Sequence, residues 1–134
     1  MMLLDADVLL ELISGNSYER HADWFKLHPE RPHTTALAVA EILAATGSMP
    51  ALERMASGNA VAKFLTTVMD RRVVPFDLDC AEHLARLAQL SRSDGSDYPL
   101  AHLLTAAMAL RFGAELVTAR PEEYAGLGVP TVTP

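Results

Sequence analysis

Three ionisable residues interrupt apolar stretches of this sequence. Asp5 ends the run MMLL, Glu41 lies inside ALAVAEILAA, and His102 breaks PLAHLLTAA. A carboxylate withdrawn from water alone is costly, so it must be paired, protonated or bound to a cation. Two carboxylates sharing one site repel each other unless positive charge lies between them. Clusters of hard oxygen donors are what Mg²⁺ and Mn²⁺ bind. Each residue also has a plainer reading. Asp5 can cap the helix that begins ADVLLEL. Glu41 can face solvent at the rim of a buried helix, although its long apolar surround favours burial. A lone histidine in an apolar helix is more often a satisfied core residue than a ligand.

The elements that must position these residues alternate between short apolar strands and helices. MMLL reads as a buried strand, followed by a helix from Asp7 to Ile13 that ends near Gly15-Asn16. SYERHADWFKLH reads as an amphipathic helix with Trp24, Phe25 and Leu27 on its apolar side, stopping before Pro29 and Pro32. HTT at 33–35 is a short strand candidate. ALAVAEILAATG is a strongly apolar helix closed by Gly47. Residues 50–71 read as helix with a break near Ser57-Gly58-Asn59, and RVVPF as a β-branched strand. Asp79 and Glu82 have capping-box spacing for a helix running to Arg92. SRSDGSD is a loop. Pro99 suits the first turn of the helix carrying His102. AELVTA is a buried strand, Pro121 to Gly126 a short helical turn, and VPTVT a last strand.

Strands separated by helices imply a mainly parallel sheet covered on both faces, an α/β fold. Ligands in such folds bind beyond the carboxyl ends of the strands. That rule singles out Asp5, Thr35, Asp77 and Thr118. His21, His28, His33 and His83 read as surface or loop residues. Met49, Met55, Met69 and Met108 read as core filler. Cys80 falls in a helix's first turn with no histidine partner indicated, and its structural reading is preferred.

Length and composition limit the alternatives. The 134 residues suit one domain, 1–134, with one core, and the hydrophobic half of the chain argues for a folded globule. A single cysteine permits no internal disulfide, which fits a reducing compartment. The N-terminal apolar run has no basic leader and is broken by Asp5, Asp7 and Glu11, so a signal peptide is not expected. No run is long enough to span a bilayer, and the expectation is a cytoplasmic protein without a membrane partner. A net charge of −6 argues against tight nonspecific binding of nucleic acid. It leaves room for a local basic rim, and the cations are mostly arginine, whose planar fork suits phosphate.

Taken in order, MLLDADVLLEL, TTALAVAEILAATG and PLAHLLTAAMALRFGAELVTARPEEY resemble the PIN domain family, in particular VapC-type toxins of bacterial toxin–antitoxin systems. The resemblance runs nearly end to end and implies a single PIN-like three-layer α/β/α domain. By that resemblance Asp5 matches the first catalytic acid and Glu41 the second. Asp7 stands where the family usually has asparagine. Thr118 matches the hydroxyl residue after the fourth strand, and Glu123-Tyr124 a late acidic–aromatic pair. His102 occupies the position of the usual third aspartate, and Arg120 stands where many relatives have Asn or Asp. Both departures remove acidic ligands.

The activity implied is that of a metal-dependent endoribonuclease. Asp5, Glu41 and His102 would be the ligands of Mg²⁺, or of Mn²⁺ if the imidazole binds directly, and Glu41 or Glu123 would orient the water. Asp7, Thr118 and Arg120 would support that set, and Asp94 or Asp97 are conceivable substitutes for the missing carboxylate. The partners implied are RNA, a cognate antitoxin and a second copy of the chain. The alternative is a catalytically weak PIN-like domain in which His102 and Arg120 neutralise the acids and the protein acts by binding. LLDADVL also resembles the signature of aspartate-nucleophile phosphatases. That family wants Thr or Val where Leu9 stands, and it needs a downstream lysine. Receiver domains need such a lysine too, and neither Lys26 nor Lys63 follows a convincing strand.

Overall fold

The computed structural model describes residues 1–15 and 18–134. Its elements run β1 (Met2–Leu4), α1 (Ala6–Ser14), α2 (Tyr18–Leu27), β2 (His33–Thr35), α3 (Ala36–Gly47), α4 (Ala51–Thr67) and β3 (Val73–Val74). They continue with α5 (Leu78–Leu87), α6 (Leu100–Arg111), β4 (Glu115–Val117), a 3-10 turn (Pro121–Tyr124) and β5 (Thr131–Val132). The five strands form one parallel sheet in the order β3-β2-β1-β4-β5. This is the PIN-like three-layer α/β/α arrangement.

β1 is the central strand, which is why MLL is apolar throughout. Successive side chains point to opposite faces of a sheet that is covered on both. Leu3 enters the cluster built with α5 and α6, among Leu87, Leu103, Met108 and Leu116. Leu4 enters the other, among Val8, Leu9, Ile42, Val61 and Met69 from α1, α3, α4 and the turn after α4. The register pairs Leu3 with His33 on one side and with Leu116 on the other. The chain leaves β1 toward β2 and later returns to pair β4 on β1's opposite edge. The carboxyl ends of β1 and β4 therefore flank the sheet's topological switch point, where such folds open a crevice.

Several local expectations are corrected. α4 is continuous through Ser57-Gly58-Asn59; one helical glycine costs only about 1 kcal/mol relative to alanine, too little to break a long helix. Asp77, not Asp79, caps α5, accepting from the Cys80 amide at 2.9 Å, and the helix ends at Leu87 rather than Arg92. His21 is buried on α2, with Nε2 2.7 Å from Glu11 on α1. Leu27 is exposed while Trp24 and Phe25 pack on the core. Met69 and Met108 fill the core, but Met49 and Met55 are exposed. The first helix ends at Gly15, as expected. Asn16, and Ser17 at the start of the next expected helix, lie outside the described residues. Among the described residues no helix is long and apolar enough to cross a membrane.

The central strand carries the fold, so truncating it is the sharpest test of this packing. Leu3→Ala is expected to cost about 2–5 kcal/mol in urea denaturation, because Leu3 is fully buried and the cavity cannot collapse between two layers. Leu52→Ala, on the exposed face of α4, should stay within about 0.5 kcal/mol.

Candidate active site at the switch point of the sheet

Asp5 is the first residue after β1, and the strand's direction carries it straight to the switch point. Its backbone amide donates to the Val117 carbonyl at 2.9 Å, so the end of β1 is fixed against the end of β4. One carboxylate oxygen accepts from the Ala6 amide at 2.8 Å and caps α1. The other accepts from the Tyr124 hydroxyl at 2.7 Å. One side chain thus both caps α1 and lines the pocket at the end of the sheet.

Asp7, in the first turn of α1, ties the helix to the segment after β4. Its Oδ1 accepts from the Val8 amide at 2.6 Å. Its Oδ2 accepts from the Ala119 amide at 3.1 Å and from the Thr118 hydroxyl at 3.4 Å. Thr118 is fully buried, and its hydroxyl oxygen accepts from the Arg120 amide at 3.2 Å, which shapes the turn that delivers Arg120. Burial, and secondly the charge of Asp5, push the Asp7 carboxyl above the usual aspartate range.

Glu41 reaches the same place from α3. It is exposed, at the rim, and not buried as its sequence surround suggested. The correction has a simple cause. α3 covers the sheet with Ala38, Ile42 and Thr46, and the opposite apolar face of the helix, including Leu43, stays exposed. Desolvation at the pocket edge, and secondly Asp5, raise the Glu41 carboxyl, while His102 pulls it back.

His102 stands near the start of α6, on the far wall. Its Nε2 lies 2.8 Å from Glu123 Oε2. A carboxylate has no hydrogen to give, so Nε2 carries the proton. Nδ1 is buried with no hydrogen-bond partner among the described residues. Glu123 Oε1 lies 3.0 Å from Arg120 Nη1, and Arg120 Nε is 3.8 Å from Asp7 Oδ2. The 3-10 turn carrying Glu123 and Tyr124 is held against α6 by the Tyr98 hydroxyl, which donates to the Ala125 carbonyl. Gly126 follows at φ +89°, where a Cβ would meet that hydroxyl at 2.6 Å; only glycine suits the position.

Asp5, Asp7, Glu41, His102 and Arg120 therefore line one pocket of about 60 Å³, with Ala6, Ala101, Thr105 and Tyr124. Thr105 is the polar lining residue that sequence reasoning left out of the site, and Tyr124, matched only as part of a late acidic–aromatic pair, was given no role there. Tyr124 is buried, its ring centroid 5.2 Å from that of His102. Burial, then Asp5, push its hydroxyl far above the usual tyrosine range, and Thr105 lies within hydrogen-bonding reach of it. Thr105 is three residues beyond His102 and so shares its helix face, the one signal that could have found it. Thr35 and Asp77, singled out by the strand-end rule, instead cap α3 and α5. The Cys80 amide, and after it Arg111, hold the Asp77 carboxyl below its usual range. Asp94 and Asp97 are exposed and do not line the pocket. Cys80 is buried, and burial pushes its thiol up. The larger cavity, about 360 Å³, is apolar, lined by Leu4, Phe25, Phe64 and Met69 with Lys26 and Arg72, and contains none of the acids.

The donor chemistry of the small pocket fits a hard cation. Three carboxylates line it, and desolvation first and Asp5 second make Asp7 and Glu41 harder to ionise. Among the described residues, however, no group of three or more His, Cys, Asp or Glu side chains stands ready to hold a metal ion. The imidazole of His102 is the poorest member of the set, since Nε2 is engaged by Glu123 and Nδ1 is buried.

The sequence is 32% identical over 133 residues to the plasmid stability protein StbB of Pseudomonas syringae pv. tomato, covering 96% of each chain. The chain belongs to the StbB family. No family model matches it. Its fold is shared by a chain of the VapBC2 complex of Rickettsia felis bound to a fragment of promoter DNA, with a TM-score of 0.83, 15% identity and coverage of 98% and 97%. A chain of the DNA-bound VapBC complex of Salmonella typhimurium is comparably close, with a TM-score of 0.81, 20% identity and coverage of 98% and 96%.

The electrostatics of this StbB-family pocket make a checkable claim. An acid whose folded-state pKa is raised costs nothing below its unfolded value and destabilises the fold as pH rises through the folded one. Asp7→Asn removes that cost. In EDTA, the stability of the variant relative to the parent, from urea denaturation at about pH 4 and about pH 7.5, is expected to move in the variant's favour as pH rises. A flat difference would mean that the amides of Val8 and Ala119 fully offset the burial of Asp7.

Proposed function

We propose that this chain is the toxin of a type II toxin–antitoxin pair, acting in the cytoplasm as a metal-dependent endoribonuclease. The observation that carries the reading is the gathering of Asp5, Asp7 and Glu41 around one small polar pocket at the carboxyl edge of the sheet. Desolvation, and after it the charge of Asp5, make ionised Asp7 and Glu41 costly, which is a standing demand for positive charge. The StbB relative, named for plasmid stability, and the fold shared with chains of VapBC complexes support the toxin assignment. A cognate antitoxin is the expected partner, and a homodimer the expected assembly.

Asp5 and Glu41 would hold Mg²⁺, with Asp7 behind them, and Mn²⁺ would serve if His102 turned to join the set. Such a cation supplies an activated water and charge stabilisation at a phosphate. The chain's own residues do the rest. Tyr124 fixes one oxygen of Asp5 by donating to it. Glu41, at the rim and with a raised pKa, is placed to take a proton from an incoming water. Asp7 sets the turn that brings Arg120 to the mouth of the pocket, where its guanidinium can meet the RNA backbone.

A second reading is a catalytically quiet domain that acts by binding a partner. It is favoured by the His102–Glu123–Arg120 network and by the lack of a ready trio of ligands among the described residues. One experiment separates the two. The purified chain, freed of any bound partner, is incubated with a mixed RNA pool in EDTA, Mg²⁺ or Mn²⁺. Metal-dependent cleavage is expected, falling by about 100-fold or more in Asp5→Asn and in Glu41→Gln. Asparagine caps a helix as well as aspartate does, so Asp5→Asn should remain folded. No cleavage by folded protein under any metal would select the second reading.

A further inference from the structure

Glu123 is held in an unusual way. Each of its carboxylate oxygens is closed on a different donor, Oε2 on His102 Nε2 at 2.8 Å and Oε1 on Arg120 Nη1 at 3.0 Å. Both donors line the pocket, on the wall facing the acids, while Glu123 itself is not part of the lining. The two donors come from different elements, His102 from α6 and Arg120 from the turn after β4. They meet only on this carboxylate. A guanidinium N–H and an imidazole N–H converging on two oxygens of one anion also match two oxygens of a phosphodiester. The Arg120 side chain is 59% exposed, so the cradle opens to solvent and a larger anion can reach it.

We propose that Arg120 and His102 form the phosphate-recognition clamp of this site, and that Glu123 is its built-in latch. The carboxylate occupies the clamp in the free protein, and a backbone phosphate of RNA displaces it on binding. The inference rests on the ribonuclease reading for the identity of the anion, but not for the clamp itself. The latch has a clear physical role. In a pocket lined by three carboxylates, an unpaired guanidinium and an unpaired imidazole N–H would turn to Asp5, Asp7 or Glu41; Arg120 Nε is already 3.8 Å from Asp7. Glu123 holds His102 Nε2 and Arg120 Nη1 on itself until an incoming anion takes its place. The exchange is one anion for another on the same donors, so no charge is left unpaired in the clamp.

The test is binding of a fluorescein-labelled oligoribonucleotide by the full chain in EDTA, read by fluorescence anisotropy. Glu123→Gln keeps the size of the side chain and removes its charge. Glu122→Gln, next to it on the same turn, changes the net charge equally but lies on an exposed residue outside the clamp. Binding is expected to tighten by roughly three- to tenfold in Glu123→Gln and to stay within about twofold of the parent in Glu122→Gln. The gain should vanish when Arg120→Ala or His102→Ala is combined with Glu123→Gln. Equal affinities for the two single variants, or weaker binding by Glu123→Gln, would overturn the latch. Cleavage in Mg²⁺ is measured on the same preparations. Cleavage with no difference between the single variants would remove the latch and leave the nuclease. The expected binding pattern without cleavage would keep the clamp and remove the nuclease.

Discussion

Negative charge packed at the end of a parallel sheet is the constraint around which this protein is arranged. The sheet order puts the carboxyl ends of β1 and β4 side by side, and the residue that follows β1 is an aspartate. Desolvation, and after it the charge of Asp5, raise the proton affinity of Asp7 and Glu41 as well as of the Tyr124 hydroxyl. A fold with that feature must answer it with hydrogen-bond donors, cations or both. Donors come from the backbone of α1, from the segment after β4 and from Tyr124, and cations come from Arg120.

The answer divides the pocket into two walls. Acids from β1, α1 and α3 make one, and His102 with Arg120 make the other. The walls are tied together at fixed points rather than by a continuous interface. Asp7 binds the Ala119 amide from below, and Tyr98 pins the turn that carries Glu123 and Tyr124. These ties run through helix ends and short turns whose flanking strands are buried, so the side chains stand on rigid supports. Glu41 is the exception. It sits on the exposed side of α3, at the edge of the pocket.

Much of this could be read in the residues alone, and the exceptions have physical causes. The alternation of apolar runs with helices located all five strands, because a doubly covered parallel sheet needs nearly uninterrupted hydrophobic segments. The strand-end rule found Asp5 and Thr118 but equally flagged Thr35 and Asp77, which cap helices; both tasks need an oxygen acceptor just past a strand, and the residue type cannot distinguish them. Glu41 drew notice as an acid in an apolar helix. The helix proved to be apolar on its outer face as well, so the inference to burial failed while the inference to the site geometry did not. His21 was misplaced because its partner, Glu11, lies on the preceding helix, and α2 is too polar overall to announce a buried face. Tyr124 was matched with Glu123 in the sequence, but its hydrogen bond to Asp5, like the place of Thr105 in the lining, depends on packing that composition does not report.

Asp5, which lines the pocket, and Glu123, which lies outside its lining, are held by opposite means. Tyr124 donates to Asp5 through a hydroxyl whose pKa is driven so high by burial and by Asp5 itself that it stays protonated, a permanent neutral donor. It orients the carboxylate without neutralising it, so the negative charge remains available. Glu123 is bound instead by a guanidinium and an imidazole, groups that can cancel its charge. A carboxylate fixed by neutral donors keeps its attraction for cations; one paired with a guanidinium has largely spent it. The fold thus leaves Asp5 poised to attract positive charge and keeps Glu123 from competing for it. His102, where an acid would have added a further negative charge, serves the second arrangement and not the first.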